Sequence, residues 1–205
     1  MSKPGAYTRA DVVDTALRLL DQYGLADLSM RRLAAELDVQ PSALYWHVPN
    51  KQTLLALVSD QILDRAAPVE DSLDWKAAAL AEATSIKDAL LAYRDGAEVV
   101  SSTLALGLGA DVALARIRTA IDRVCPDPEI SRITAESILF LVLGQVWHEQ
   151  QRLQADSLGV VAPAVGASPE DAQSPSRDLH EQIDSFEFGV GLILDGLLTK
   201  IATVS

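Results

Sequence analysis

Residues 28–51, LSMRRLAAELDVQPSALYWHVPNK, decide the fold, because they read as two short helices joined by a tight turn. Leu28 and Leu33 stand at the N′ and N4 positions of a hydrophobic staple around Ser29, so a helix begins at Met30. Leu33, Ala34 and Leu37 fall on one face of it, the spacing of a stripe packed on a core, and Asp38 and Val39 end it. Val39 and Leu44 then repeat the staple. Gln40 takes the cap and Pro41 the first helical position, where its missing N–H costs nothing, which predicts a second helix over residues 41–47. Two helices of this length around a short turn make a helix-turn-helix, whose second helix fits a DNA major groove.

The second helix offers Ser42, Ala43, Tyr45, Trp46 and His47, with little charge. Ser42 and His47 can hydrogen-bond base edges or phosphates, Ala43 can meet a thymine methyl, and the Tyr45 hydroxyl can reach a phosphate. Tyr45 and Trp46 could equally be half-buried packing residues, Trp46 closing the seam beside Leu44 and Val48. Asn50 caps the next helix. Lys51 in its first turn joins a cation to free backbone N–H groups, a setting that suits a phosphate as well as a solvated lysine.

This run, VQPSALYWHVPNK preceded by SMRRLAAEL, resembles the DNA-binding domain of the tetracycline-repressor (TetR) family of bacterial transcription regulators. The resemblance implies an all-α chain: a three-helix DNA-binding head at residues 1–50, a connecting helix at 51–66 and a ligand-binding and dimerisation domain at 67–205. It implies a homodimer that reads a palindromic double-stranded DNA operator in the cytoplasm and is released by a small organic effector. Arg31, Pro41, Ser42, Ala43, Tyr45, Trp46, His47 and Lys51 are its candidate DNA contacts.

Composition is compatible with that reading. At 205 residues, 49% apolar and 22% charged, the chain is ordinary globular material. No run approaches ~18 consecutive apolar residues, so no membrane span is expected, and no apolar segment near the start resembles a secretory signal. Cys125 is the only cysteine, which excludes an intramolecular disulfide and fits a reducing compartment. A net charge of −12 should repel DNA, yet its distribution is uneven. Residues 1–65 carry seven Lys or Arg against eight Asp or Glu; the remainder carries ten against twenty-one. Lys3, Arg9, Arg31, Arg32 and Lys51 could therefore form a local basic patch.

The rest of the chain reads as helical. Thr8 with Asp11 forms a capping box for a first helix whose Val12, Val13, Ala16, Leu17 and Leu20 point inward, ending at Tyr23-Gly24. The helix from Lys51 buries Leu54, Leu55, Val58 and Ile62. Further helices are marked by Trp75 to Leu90, by a start at Arg94-Asp-Gly-Ala-Glu-Val99, and by Leu114 to Val124. A long apolar helix over residues 130–153 and a last one over 179–201 flank an Ala/Gly/Pro/Ser-rich loop at 157–177. Gly189, Gly191 and Gly196 in the last helix suggest close helix approach. The two long helices suit a four-helix bundle across a two-fold axis, with Ile138, Val142, Phe186, Val190, Leu194 and Leu197 at the interface, or else the core of a single subunit.

DALLAYRDGAEV and FEFGVGLILDGL are similar to the core domain of the tetracycline repressors. The drug site of that family is nevertheless altered. Where the family has a drug-binding His, an Asn, a Phe, the metal-binding His and the metal-linked Glu, this chain has Ala67, Glu82, Ile86, Val100 and His148; Thr103 is kept. A tetracycline effector is not expected. The candidate pocket comprises Glu82, Ile86, Val100, Thr103, Gln145, Trp147 and His148, although Gln145 and His148 could instead bond helices together. His47, His148 and His180 have no metal-ligand spacing, and no phosphate loop or nucleophile elbow occurs, so neither metal, cofactor nor enzymatic activity is expected. The competing reading is a helical protein-interaction adaptor whose helix-turn-helix has lost DNA affinity.

Overall fold

The computed structural model describes residues 7–157, 159 and 184–204. Its helices are α1 (Arg9–Tyr23), α2 (Met30–Glu36), α3 (Pro41–Leu44), α4 (Lys51–Leu63), α5 (Trp75–Leu91), α6 (Gly96–Leu104), α7 (Asp111–Ile121), α8 (Pro128–Ser157) and α9 (Ser185–Val204). The fold is all-α, with no strand among the described residues.

Local chemistry accounts for most helix starts. Thr8 and Asp11 make the reciprocal capping box of α1. The Ser29 side chain accepts from Arg32 N at 3.2 Å and Asn50 Oδ1 from Thr53 N at 2.8 Å, opening α2 and α4. Asp74, Asp127 and Asp184 do the same for α5, α8 and α9. Asp127 moves the start of α8 back to Pro128, two residues before the expected position, because proline is pre-set for the first helical turn. The expected start of the last helix, at residue 179, and residues 158 and 160–177 of the expected loop lie outside the described residues.

α1, α2 and α3 pack around Leu20, Leu28, Leu33, Leu44 and Val48, all essentially without solvent contact. α4 belongs to this cluster and also to the body, where it packs on α6. Leu54, Val58 and Ile62 are buried as expected, whereas Leu55 is half-buried. In the body, α5, α6, α7 and α9 surround the inner side of α8. That helix is long and apolar enough to cross a membrane by length and composition, but it supplies Ile138, Leu139, Val142 and Val146 to the protein core.

The six residues expected at a subunit interface are corrected by this packing. Ile138, Val142, Phe186, Val190, Leu194 and Leu197 are all buried inside one subunit, each no more than 4% exposed. Both helices are apolar around most of their circumference, so hydrophobicity alone does not say which side faces inward. Gly189 fits the expected close approach, since a Cβ there would lie 3.1 Å from Leu141 Cδ2. Gly191 and Gly196 do not: a Cβ at either would meet nothing within 4 Å.

Candidate nucleic-acid interface and its links to the body

The reading element is short. Hydrogen-bonded α-helix covers Pro41–Leu44 and then gives way to a turn in which His47 N and Val48 N both donate to Leu44 O, at 2.9 and 2.8 Å. The expected helix over residues 41–47 is thus one helical turn with a tightened end. Leu44 and Val48 anchor the segment in the core, so the side chains between them point outward. Ser42 and Ala43 are exposed, Pro41 and His47 half-buried, Tyr45 51% exposed and Trp46 89% exposed. Trp46 closes no seam within the subunit. The turn before α3 contains Asp38 at φ 54°, a left-handed conformation that aspartate tolerates better than most residues.

Among the expected basic residues, Arg31 is exposed and Lys51 half-buried at the start of α4. Arg32 is engaged within the head: it lies 3.3 Å from Asp27 and its guanidinium sits 3.6 Å from the centroid of the Tyr23 ring. Lys3 lies outside the described residues. Asn50 uses its oxygen on Thr53 N, which leaves the neighbouring N–H groups of the α4 start beside Lys51.

The head is fastened to the body by contacts that sequence reasoning missed. Asp95, 9% exposed and at φ 55°, accepts from Leu25 N of the head at 2.8 Å and from Gln154 Nε2 of α8 at 2.5 Å. Gly24 permits this approach: it has φ 84°, and a Cβ there would lie 2.8 Å from the Asp95 carboxylate. Gln150, also buried, donates to Leu90 O and Tyr93 O and accepts from Ala97 N, so α8 holds the α5–α6 turn that carries Asp95. Gln61 of α4 donates to Asp14 of α1. Such contacts span 47 to 70 residues, and only the aspartate before glycine in RDGAEV hinted at one of them.

The seven residues expected at an effector pocket are placed in different settings. Glu82 forms an ion pair with Arg116 at 2.6 Å, and Arg116 also donates to Ala66 O and Ala67 O at the end of the α4 segment. Ile86, Val100 and Thr103 are fully buried, Thr103 donating to Val100 O. Gln145 donates to Ser185 Oγ, joining α8 to α9. Trp147 and His148 are in edge contact and line a depression of about 380 Å³ with Phe140 and Gly144. On α4, the Asp60 carboxyl is pushed above its ordinary value, first by burial and then by the neighbouring Asp64 and Asp111.

The outer side of α8 carries Ile133, Phe140 and Trp147, and that of α9 carries Phe188, Leu192 and Leu198, all exposed within one subunit. Phe140, Gly144 and Trp147 follow an i, i+4, i+7 register opposite Ile138 and Val142, a pattern the sequence does contain.

Two family descriptions match this architecture. "Bacterial regulatory proteins, tetR family" matches residues 12–58, and "Tetracyclin repressor-like, C-terminal domain" matches residues 67–201. The chain belongs to the TetR family. It is 33% identical over 199 residues to the class C tetracycline repressor protein of Escherichia coli, covering 92% of this chain and 90% of that one. Among solved structures it is similar to BioQ of Mycobacterium smegmatis, with 36% identity, TM-score 0.77 and coverage of 93% and 97%. It is also similar to BioQ in complex with its double-stranded DNA operator, with 34% identity, TM-score 0.75 and coverage of 93% and 98%. As a TetR-family protein the chain is a DNA-binding, ligand-responsive transcriptional repressor and not an enzyme.

Proposed function

We propose that two copies of the chain pair through the outer sides of α8 and α9 and present α3 to the two halves of a palindromic operator. The single observation that carries this reading is the outward face of the 41–47 segment: exposed Ser42, Ala43, Tyr45 and Trp46 over fully buried Leu44 and Val48. Side chains of that kind on a buried anchor are turned to solvent and match base edges, methyl groups and phosphates. Arg31, Pro41, His47 and Lys51 complete the contact set, with Lys51 and the start of α4 on a phosphate. Trp46, by its exposure, belongs with the DNA-facing side chains.

The proposed division is a head at residues 1–50, a connecting helix at 51–66 and a body at 67–205. Phe140, Gly144 and Trp147 of α8, with Phe188, Gly191 and Leu192 of α9, form the pairing face. Glycines with open space beside them let a partner helix approach closely. A small organic effector bound in the body favours a head spacing that does not fit the operator, a population shift that needs differential affinity for the two spacings. The relatives' drug is not carried over, because Glu82 is engaged by Arg116, and Val100 offers no metal ligand. An operator-reading repressor of this kind works in the bacterial cytoplasm.

Selection from random double-stranded DNA with the purified chain tests the proposal. It should return a palindrome whose half-site centres are one helical turn or more apart; recovery of no common sequence would favour the adaptor reading.

A further inference from the structure

A second cavity, of about 640 Å³, lies between residues 65–73 and the outward face of α5, with Glu187 of α9 at its rim. We propose that this groove binds a lipophilic organic cation, and that it is the effector site of the chain. The assignment as effector site rests on the ligand-responsive reading above; the binding site itself does not. Of the positions that match the family's drug site, Ala67 lines the groove, whereas Glu82, Ile86, Val100 and Thr103 do not.

Three features carry the inference. The volume is that of a small-molecule site, and Val69, Leu73 and Leu80 give it an apolar wall. Its acidic lining groups are Glu70, Asp88 and Glu187, from three different elements. Arg65, the one cation among the described lining residues, donates to the Tyr93 hydroxyl at 3.1 Å with its guanidinium 5.4 Å from that ring, and Arg123 donates to Leu73 O, so the described lining carries three acids against one cation. Lys87 lies 4.9 Å from the Phe186 ring centroid, and Lys76 pairs with Asp195. An apolar body with a positive charge is complementary to such a site; an anion is not.

The groove also touches the part of the chain that could transmit its occupation. Ala67 O accepts from Ser85 Oγ at 2.9 Å and from Arg116, which also holds Ala66 O. A ligand that parts residues 67–73 from α5 therefore strains the bonds holding the end of α4, the helix shared by head and body.

Tetraphenylphosphonium and tetraphenylborate, of nearly the same shape and opposite charge, test the site by calorimetry on the purified full chain. The cation should bind and the borate should not. Asp88→Asn with Glu187→Gln should weaken the cation at least tenfold, Leu80→Trp should abolish its binding, and Glu36→Gln on the head should change nothing. Equal binding of both ions, no binding of either, or an affinity indifferent to the double substitution would overturn the site. Binding that obeys these rules but leaves operator affinity unchanged would overturn its role as effector site. Loss of operator binding by the ligand-free wild-type chain would instead count against the regulator reading.

Discussion

The reading segment of the head and the polar links within the body treat their side chains in opposite ways. In the head, Tyr45 and Trp46 stand 51% and 89% exposed, and Ser42 is exposed beside them. In the body, Glu82 and Arg116 satisfy each other, Gln150 serves two carbonyls and an N–H, and Asp95 is taken by Leu25 and Gln154. Groups held ready for an outside partner are left open by the subunit; groups that hold the subunit together are closed on one another. Substitution in the two regions should accordingly change different quantities.

The largest effect is expected in the body. Glu82→Ala leaves Arg116 partly buried without its carboxylate and should lower stability by about 2–3 kcal/mol, read as a shift of the denaturation midpoint at constant slope. A loss below ~0.5 kcal/mol would show that water replaces the carboxylate and would blur the contrast. Tyr45→Ala should do the reverse. It should weaken specific operator binding by about 1–3 kcal/mol at fixed salt while leaving the melting temperature almost unchanged. Unchanged affinity would assign Tyr45 to packing.

The smallest effect is at the junction, where Asp60 faces Asp64 and Asp111. Its raised value means that the folded chain holds the Asp60 proton more tightly than the unfolded chain does. The carboxylate therefore opposes folding at neutral pH; the penalty fades as the pH falls through the raised folded-state value and is gone below the ordinary carboxylate value of about 4. Asp60→Asn should raise the melting temperature at pH 7 and lose that advantage near pH 3. An advantage constant with pH would remove the electrostatic explanation.

The same division explains what could be read from the sequence. Caps act within three residues, so Thr8, Ser29 and Asn50 announce α1, α2 and α4 directly, and the staples around Leu33 and Leu44 place the reading segment. The outward side chains of that segment follow from its two buried anchors. Asp95, Gln150 and Arg116 could not be read this way, because their partners lie 34 to 70 residues away and become neighbours only in the fold. The interface residues were misplaced for a different reason. On α8 the inner Ile138 and Val142 and the outer Phe140 and Trp147 are equally apolar, so periodicity locates two stripes without saying which one faces in.

The most direct test of the account is the salt dependence of operator binding, because a chain of net charge −12 must bind DNA through a few local cations. Arg31 and Lys51 from each of two subunits would neutralise four phosphates, which predicts a slope of log affinity against log salt of about −4. A slope near that value, reduced by about two in Lys51→Ala, is the expected result. A slope near zero, or no sequence-specific binding at low salt, would contradict the account.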